Sequence, residues 1–277
     1  KDYEMEIKVV DRVKIYNKDK ADDFLNQEIG LYESESGREE KISNLKAYTY
    51  NLENDKMVAT KVEKDSKFKS TENKHYNIIK FAFPNVKDGS VVEYSYTVLS
   101  PFIHEMPKIM IEENVPIIYS EYVFDAPKEL GYNINYQGSV LPKYRVVEEK
   151  MLYGADYRTY RFGYENIKAF LEENYVKNND NYRTSLRAEL NSTYIGNEFK
   201  SYSLSWEDVR KEMMKDEEFG GALKKDNLVR DLLPNEIKQI PTELKKAEAI
   251  LKFVQKNYTW DKKRGAFVDE GIKNLIN

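Results

Sequence analysis

The side chains that most often carry chemistry are scarce in this chain. Its 277 residues include no cysteine and only two histidines, His75 and His104. Without cysteine these residues hold no disulfide, no thiolate metal site and no thiol nucleophile. His75 stands in the polar stretch TENKHYN, and His104 in SPFIHEMPK between two prolines. Neither has a second ligand at the spacing of a zinc site, so both read as solvated or locally hydrogen-bonded. Glu93, in VVEYSY, shares a pleat face with Val91 and is flanked by aromatics. A buried carboxylate there needs a partner, and the sequence fixes no second carboxylate beside it for acid–base work. Gly89-Ser90 could cradle a phosphate, but one glycine with no following helix is not a phosphate loop, and a tight turn is the reading. Residues 172–183, EENYVKNNDNYR, are rich in Asn and Asp yet lack the Asp-x-Asp-x-Asp-Gly spacing of a calcium loop, which leaves a solvated loop. Asn191-Ser192-Thr193 is a glycosylation triplet inside an apparent strand. The 22 tyrosines could stack on sugar rings, and they equally suit strand positions with one wet end. No catalytic, cofactor-binding or metal-binding residue is assigned, and no cofactor is implied.

The elements that hold these residues follow from hydrophobic period. Up to about Ser203 the period is two. YEMEIKVVDRVKIY alternates apolar and charged residues, as a half-buried strand does. NLKAYTYNLENDKMVATKVEKD reads as a hairpin turning at Glu53-Asn54-Asp55. NIIKFAFPN and SVVEYSYTVLSP read as a second pair, with Pro84 and Gly89 as turn residues and the segment Pro84–Tyr94 setting its register. Asn85 or Gly89 can take a positive φ there. About ten closely spaced strands predict a mainly β fold, a large antiparallel β-sandwich. Near Ser205 the period lengthens. Ser205 with Asp208 is close to a capping box, and Trp206, Val209 and Met213 share one helical stripe. DNLVRDLLP reads as a short helix stopped by Pro234. The stretch 241–260 reads as a helix capped at Thr242, with Leu244, Ala247, Ile250, Leu251 and Val254 on one face. The predicted organisation is a β-sandwich domain over 1–203 and a smaller helical segment over 204–277.

Charge is mixed. A net −4 with 33% charged residues presents no basic face for nucleic acid. No apolar run reaches the roughly 20 residues that span a bilayer as a helix.

Several stretches resemble known domains. FAFPNVKDGSVVEYSYTVLSPF carries a Pro-Asn-Val-x-x-Gly-Ser-Val-x-Glu-Tyr core at Pro84, Asn85, Val86, Gly89, Ser90, Val91, Glu93 and Tyr94. This resembles the domain of unknown function that precedes transglutaminase-like domains in bacterial, often Bacteroidetes-type, proteins. SWEDVRKEMMKDEEFG and KAEAILKFVQKNYTWD are similar to the opening helices of the transglutaminase-like domain itself. The resemblance implies that the catalytic Cys, His and Asp of that domain lie beyond Asn277, so none is carried over to a residue here. It implies an accessory module for binding, positioning or scaffolding in a transglutaminase-like cysteine protease or acyl-transferase. The partner it implies is a protein or peptide substrate of the longer protein. The location it implies is the periplasm or cell surface. The readings that compete with it are a fragment of an active enzyme and a surface carbohydrate-binding module. A domain cut at this point is expected to leave the helix at 242–258 docked or dimerised through its apolar stripe, aided by Trp206 and Trp260, and residues 262–277 mobile.

Overall fold

The computed structural model describes residues 3–259 apart from 35, 74, 105, 203, 204, 218, 226, 228, 229 and 231. The chain divides into two compact units, residues 1–203 and 204–277. The first is built of antiparallel sheets and the second of short helices, the mainly β fold with a helical end that the alternation predicts.

The strands of the first unit form two face-to-face sheet pairs, each with its own core. In the first pair, one sheet runs β1 (Met5–Lys14), β7 (Val91–Ser100), β3 (Lys41–Glu53), β4 (Lys56–Lys61). The other runs β2 (Asn26–Tyr32), β6 (Tyr76–Ala82), β5 (Lys67–Asn73). Between them lie Ile15, Ile29, Ala47, Phe81, Phe83, Val86 and Val92. In the second pair, β11 (Tyr144–Leu152), β12 (Ala155–Ile167) and β9 (Ile117–Pro127) face β10 (Leu130–Gln137), β13 (Ser185–Ile195) and β14 (Glu198–Ser201), with β8 (Ile109–Met110) also on β13. Ile111, Phe162, Tyr164, Ile167 and Leu186 fill that core. Strict alternation of burial along β1 shows why period two was legible: Met5, Ile7, Val9 and Val13 turn inward while Glu6, Lys8, Arg12 and Lys14 stay in water. The hairpin at Glu53 also forms as read. Asn54 and Asp55 both hold positive φ, 51° and 61°, and Glu53 pairs with Lys56. That is the two-residue turn whose twist matches the strands.

One expected pairing is overturned. The segments 77–85 and 90–101 do not pair with each other. β6 pairs with β2 and β5, whereas β7 pairs with β1 and β3. Residues 83–90 therefore carry the chain across the core from one sheet to the other. Pro84 and Gly89 signal a reversal but not which sheet receives the next strand. Packing decides that. Phe81 and Phe83 meet Tyr94 across the core, with centroids 6.0 and 6.3 Å apart, a burial that side-by-side pairing would forfeit.

The crossover is held by polar ties. Asn85 and Gly89 both take positive φ, 54° and 87°. Gly89 N donates to Ile15 O (2.7 Å) and Ile15 N to Ser90 O (2.8 Å), fixing the loop to the end of β1. Ser90 is fully buried. Its hydroxyl accepts from Lys87 N (2.8 Å) and donates to Asn51 Oδ1, while Asn51 Nδ2 donates to Asn85 O (2.9 Å).

In the second unit, α2 (Trp206–Lys215) follows α1 (Asp22–Leu25) of the first and opens with the full capping box: Asp208 N donates to Ser205 Oγ, and Ser205 N donates to Asp208 Oδ2. Trp206 is exposed. After α3 (Gly220–Leu223) and α4 (Asn235–Lys238) comes α5 (Glu243–Asn257). Thr242 takes the cap position without a side-chain bond. The stripe of α5 is open at Leu244, Leu251 and Val254. Trp260, the tail 262–277, and Leu228 and Val229 of DNLVRDLLP lie outside the described residues.

Two outcomes follow from this packing. Asn51→Ala leaves the Ser90 hydroxyl and the Asn85 carbonyl without their partner in a buried place, which costs about 1–3 kcal/mol. Urea unfolding of the full chain should show a lower midpoint at unchanged slope; an unchanged midpoint would show that the crossover does not depend on Asn51. Burial raises the phenols of Tyr122, Tyr132 and Tyr164 to about 12, from 10 in the open chain. A raised folded value means full stability below pH 10, lost as pH climbs through 12, because the unfolded chain ionises first. Absorbance at the phenolate band should therefore rise in two steps, the second coinciding with loss of the far-ultraviolet strand signal. A single step with the fold intact would contradict the burial.

Candidate functional site

The residues weighed from sequence are not brought together. His75 Nδ1 donates to the Glu33 carbonyl (3.0 Å), and its ring stacks on Tyr32 at 6.0 Å. His104 is exposed and meets Tyr202 edge-on at 5.0 Å. Both are locally engaged, as read. Glu93 has the partner that its position demanded: Arg12 Nε donates to Glu93 Oε2 (2.6 Å) from the adjacent strand. Glu93 also binds the Tyr50 hydroxyl and helps to push that phenol up, after burial. Gly89-Ser90 forms the structural crossover described above. Asn191-Ser192-Thr193 lies within β13, with Asn191 Nδ2 donating to Asn133 (3.2 Å). Among the described residues, no group of three or more His, Cys, Asp or Glu side chains is placed to hold a metal ion, and no helix is long and apolar enough to cross a membrane.

Residues 172–183 form the solvated loop expected, exposed over most of its length, except at its end. Arg183 ends the stretch and is only 6% exposed. Its guanidinium donates to Glu112 O (3.3 Å), Asn114 Oδ1 and Glu172 Oε1 (2.9 Å). It also lies 3.3 Å from Asp180 and 4.4 Å over the Phe170 ring. The next residue adds two anchors: Thr184 N donates to Glu112 Oε2, and the Thr184 hydroxyl accepts from Val140 N (3.0 Å). One buried cation thus fastens three chain segments. Leu171, Tyr175 and Tyr182 remain on the surface of the stretch.

A polar constellation that sequence reasoning missed lies on the outer face of the β11–β12–β9 sheet. Tyr144, Gly163 and Glu121 form one row across the three strands. The Tyr144 ring is laid across Gly163: a Cβ there would stand 2.1 Å from Tyr144 Cζ. Glycine is required here for room, not for backbone freedom. The phenol crosses the central strand and donates to Glu121 Oε1 (2.7 Å); Tyr119 Oη lies 3.0 Å from Tyr144 Oη. These bonds push the Tyr144 phenol up, the bond to Glu121 most. In the flanking row, Arg161 Nε is enclosed 3.6 Å from Glu121 Oε1 and makes no hydrogen bond. On the other side Lys143 pairs with Glu165. The signal was present in the sequence as a glycine inside a strand pattern, YRFGYE, which marks close approach, but only the register shows which ring approaches.

Comparison with known proteins places this geometry in a family. The model of DUF3857, a domain of unknown function with a solved structure, matches residues 1–171. The chain belongs to that family, and its crossover motif lies inside the matched region. A crystal structure described as a putative protease from Parabacteroides distasonis has a similar fold, with a TM-score of 0.66 at 11% identity. The similarity covers 93% of this chain and 48% of that one, so the chain spans about half the length of its structural neighbour. No curated protein matches.

Proposed function

We propose that this chain is a non-catalytic accessory module that binds, positions or scaffolds for a catalytic region in a longer protein. The observation that carries the reading is the fold likeness: it takes in nearly all of this chain and about half of a chain described as a putative protease. The local engagements support it. His75, His104 and Glu93 each have structural partners, and among the described residues none shows the nucleophile and orienting group that a triad requires. The family-level resemblance supplies the finer reading. The catalytic region is transglutaminase-like, a cysteine protease or acyl-transferase acting on a protein or peptide, and the protein works in the periplasm or at the cell surface.

Two measurements test this. The purified chain at micromolar concentration should neither hydrolyse unstructured peptides nor transfer amines to them. Turnover that survives repurification and is abolished by His75→Ala or Glu93→Ala would overturn the non-catalytic reading. Fractionation of cells making the longer protein should place it in the periplasmic or surface fraction, and a purely cytoplasmic signal would refute that location.

A further inference from the structure

We propose that the outer face of the β11–β12–β9 sheet is a binding site for a neutral glycan, with the Tyr144 ring as its platform. The inference goes beyond the accessory-module reading and does not rest on it.

Three observations point there. First, the ring is laid across its strand neighbour, not raised from it. Gly163 leaves room for that and Glu121 with Tyr119 hold the far end of the phenol. The sheet supports the ring from beneath while Tyr144 stays only partly buried. A fixed aromatic surface of this kind matches the apolar C–H face of a sugar ring and costs little ordering on binding.

Second, polar groups ring the platform at the reach of sugar hydroxyls. Arg161 has a side chain 41% exposed, held 3.6 Å from Glu121 Oε1 at its enclosed Nε. Glu121, 29% exposed, adds a carboxylate already oriented by Tyr144. A guanidinium beside a carboxylate offers paired donors and acceptors, the chemistry that adjacent hydroxyls take up. Tyr119, half in water, adds a hydroxyl at the rim.

Third, charge selects the ligand class. In the row of the ring and the two rows flanking it, the charged side chains are Glu121 and Arg161, and Glu165 with its partner Lys143. They cancel in pairs. An anionic or cationic ligand would have to break a pair to gain one, so the surface suits an uncharged, hydroxyl-rich molecule. Val123 and Val146, exposed on either side of Arg161, extend the apolar floor along the sheet.

The test is a chemical-shift titration of the full chain with cellohexaose, xylohexaose and mannohexaose in turn, followed by calorimetry. At least one should bind with a Kd of about 0.1–1 mM, shifting the amides of Gly163, Glu121 and Arg161. Tyr144→Ala should weaken it by at least about tenfold. Gly163→Ala, whose methyl displaces the ring, should do the same. Should Tyr144→Ala fail to fold, the wild-type shift map and Gly163→Ala decide. Binding to none of the three sugars would overturn the proposal. So would shifts that map to another face, affinity untouched by both variants, or preference for a polyanionic sugar such as polygalacturonate.

Discussion

A guanidinium taken out of water keeps its charge and must find partners for its donors. Arg183 is that group here, and the second sheet pair depends on it. Residues 111–116 before β9 and residues 168–184 between β12 and β13 lie outside the strand ladders. Phe170 N donates to Glu113 O (2.8 Å), and Arg183 ties them further by binding Glu112, Asn114, Glu172 and Asp180 and lying over Phe170. The several partners of Arg183 share the task, and the carboxylates of Glu172 and Asp180 meet it from the solvent side. The end of an exposed Asn-rich loop is thereby tied to the core, with Ile111 N donating to Thr184 O beside it.

The first sheet pair solves the same kind of problem with neutral groups. The chain must cross from β6 to β7 over the end of the core, with Val86 and Ser90 buried, and the polar groups turned inward there cannot be left bare. Asn51 and Ser90 satisfy them from within, and Ile15 from the end of β1. Read this way, most of the Pro84–Tyr94 motif describes a crossover. Asn85 and Gly89 supply the unusual dihedrals, Val86 plugs the core, Ser90 is the internal bond, and Tyr94 packs on Phe81 and Phe83. Its conspicuous residues serve the fold, and this is why they offered no chemistry.

The face around Tyr144 has the opposite character. Nothing in the core requires Tyr144, Glu121, Tyr119 and Arg161 to converge, since the inner side of β12 is already filled by Phe162 and Tyr164. A glycine at position 163 weakens a strand interior, and here it makes space for a ring on the outer surface. The arrangement sits within the family's matched region, residues 1–171, on a rigid sheet and not on a loop.

The sequence by itself determined the local structure. Alternation along β1, the Asn54-Asp55 turn, the Ser205–Asp208 box and the helix beginning at Glu243 were legible because each is fixed by residues within one turn or one pleat of each other. Glu93's need for a partner was legible too, though not that the partner is Arg12, 81 residues away. Tertiary structure alone decided which strands pair. The same turn residues at 84–90 serve a hairpin or a crossover, and only the fit of Phe81, Phe83 and Tyr94 across the core separates the two. It also decided what Gly163 and Arg183 do. One meets a ring carried on the neighbouring strand, and the other binds groups up to 71 residues distant. Spacing along a chain says nothing about contacts made across a sheet or through a core, because these are set by register and packing.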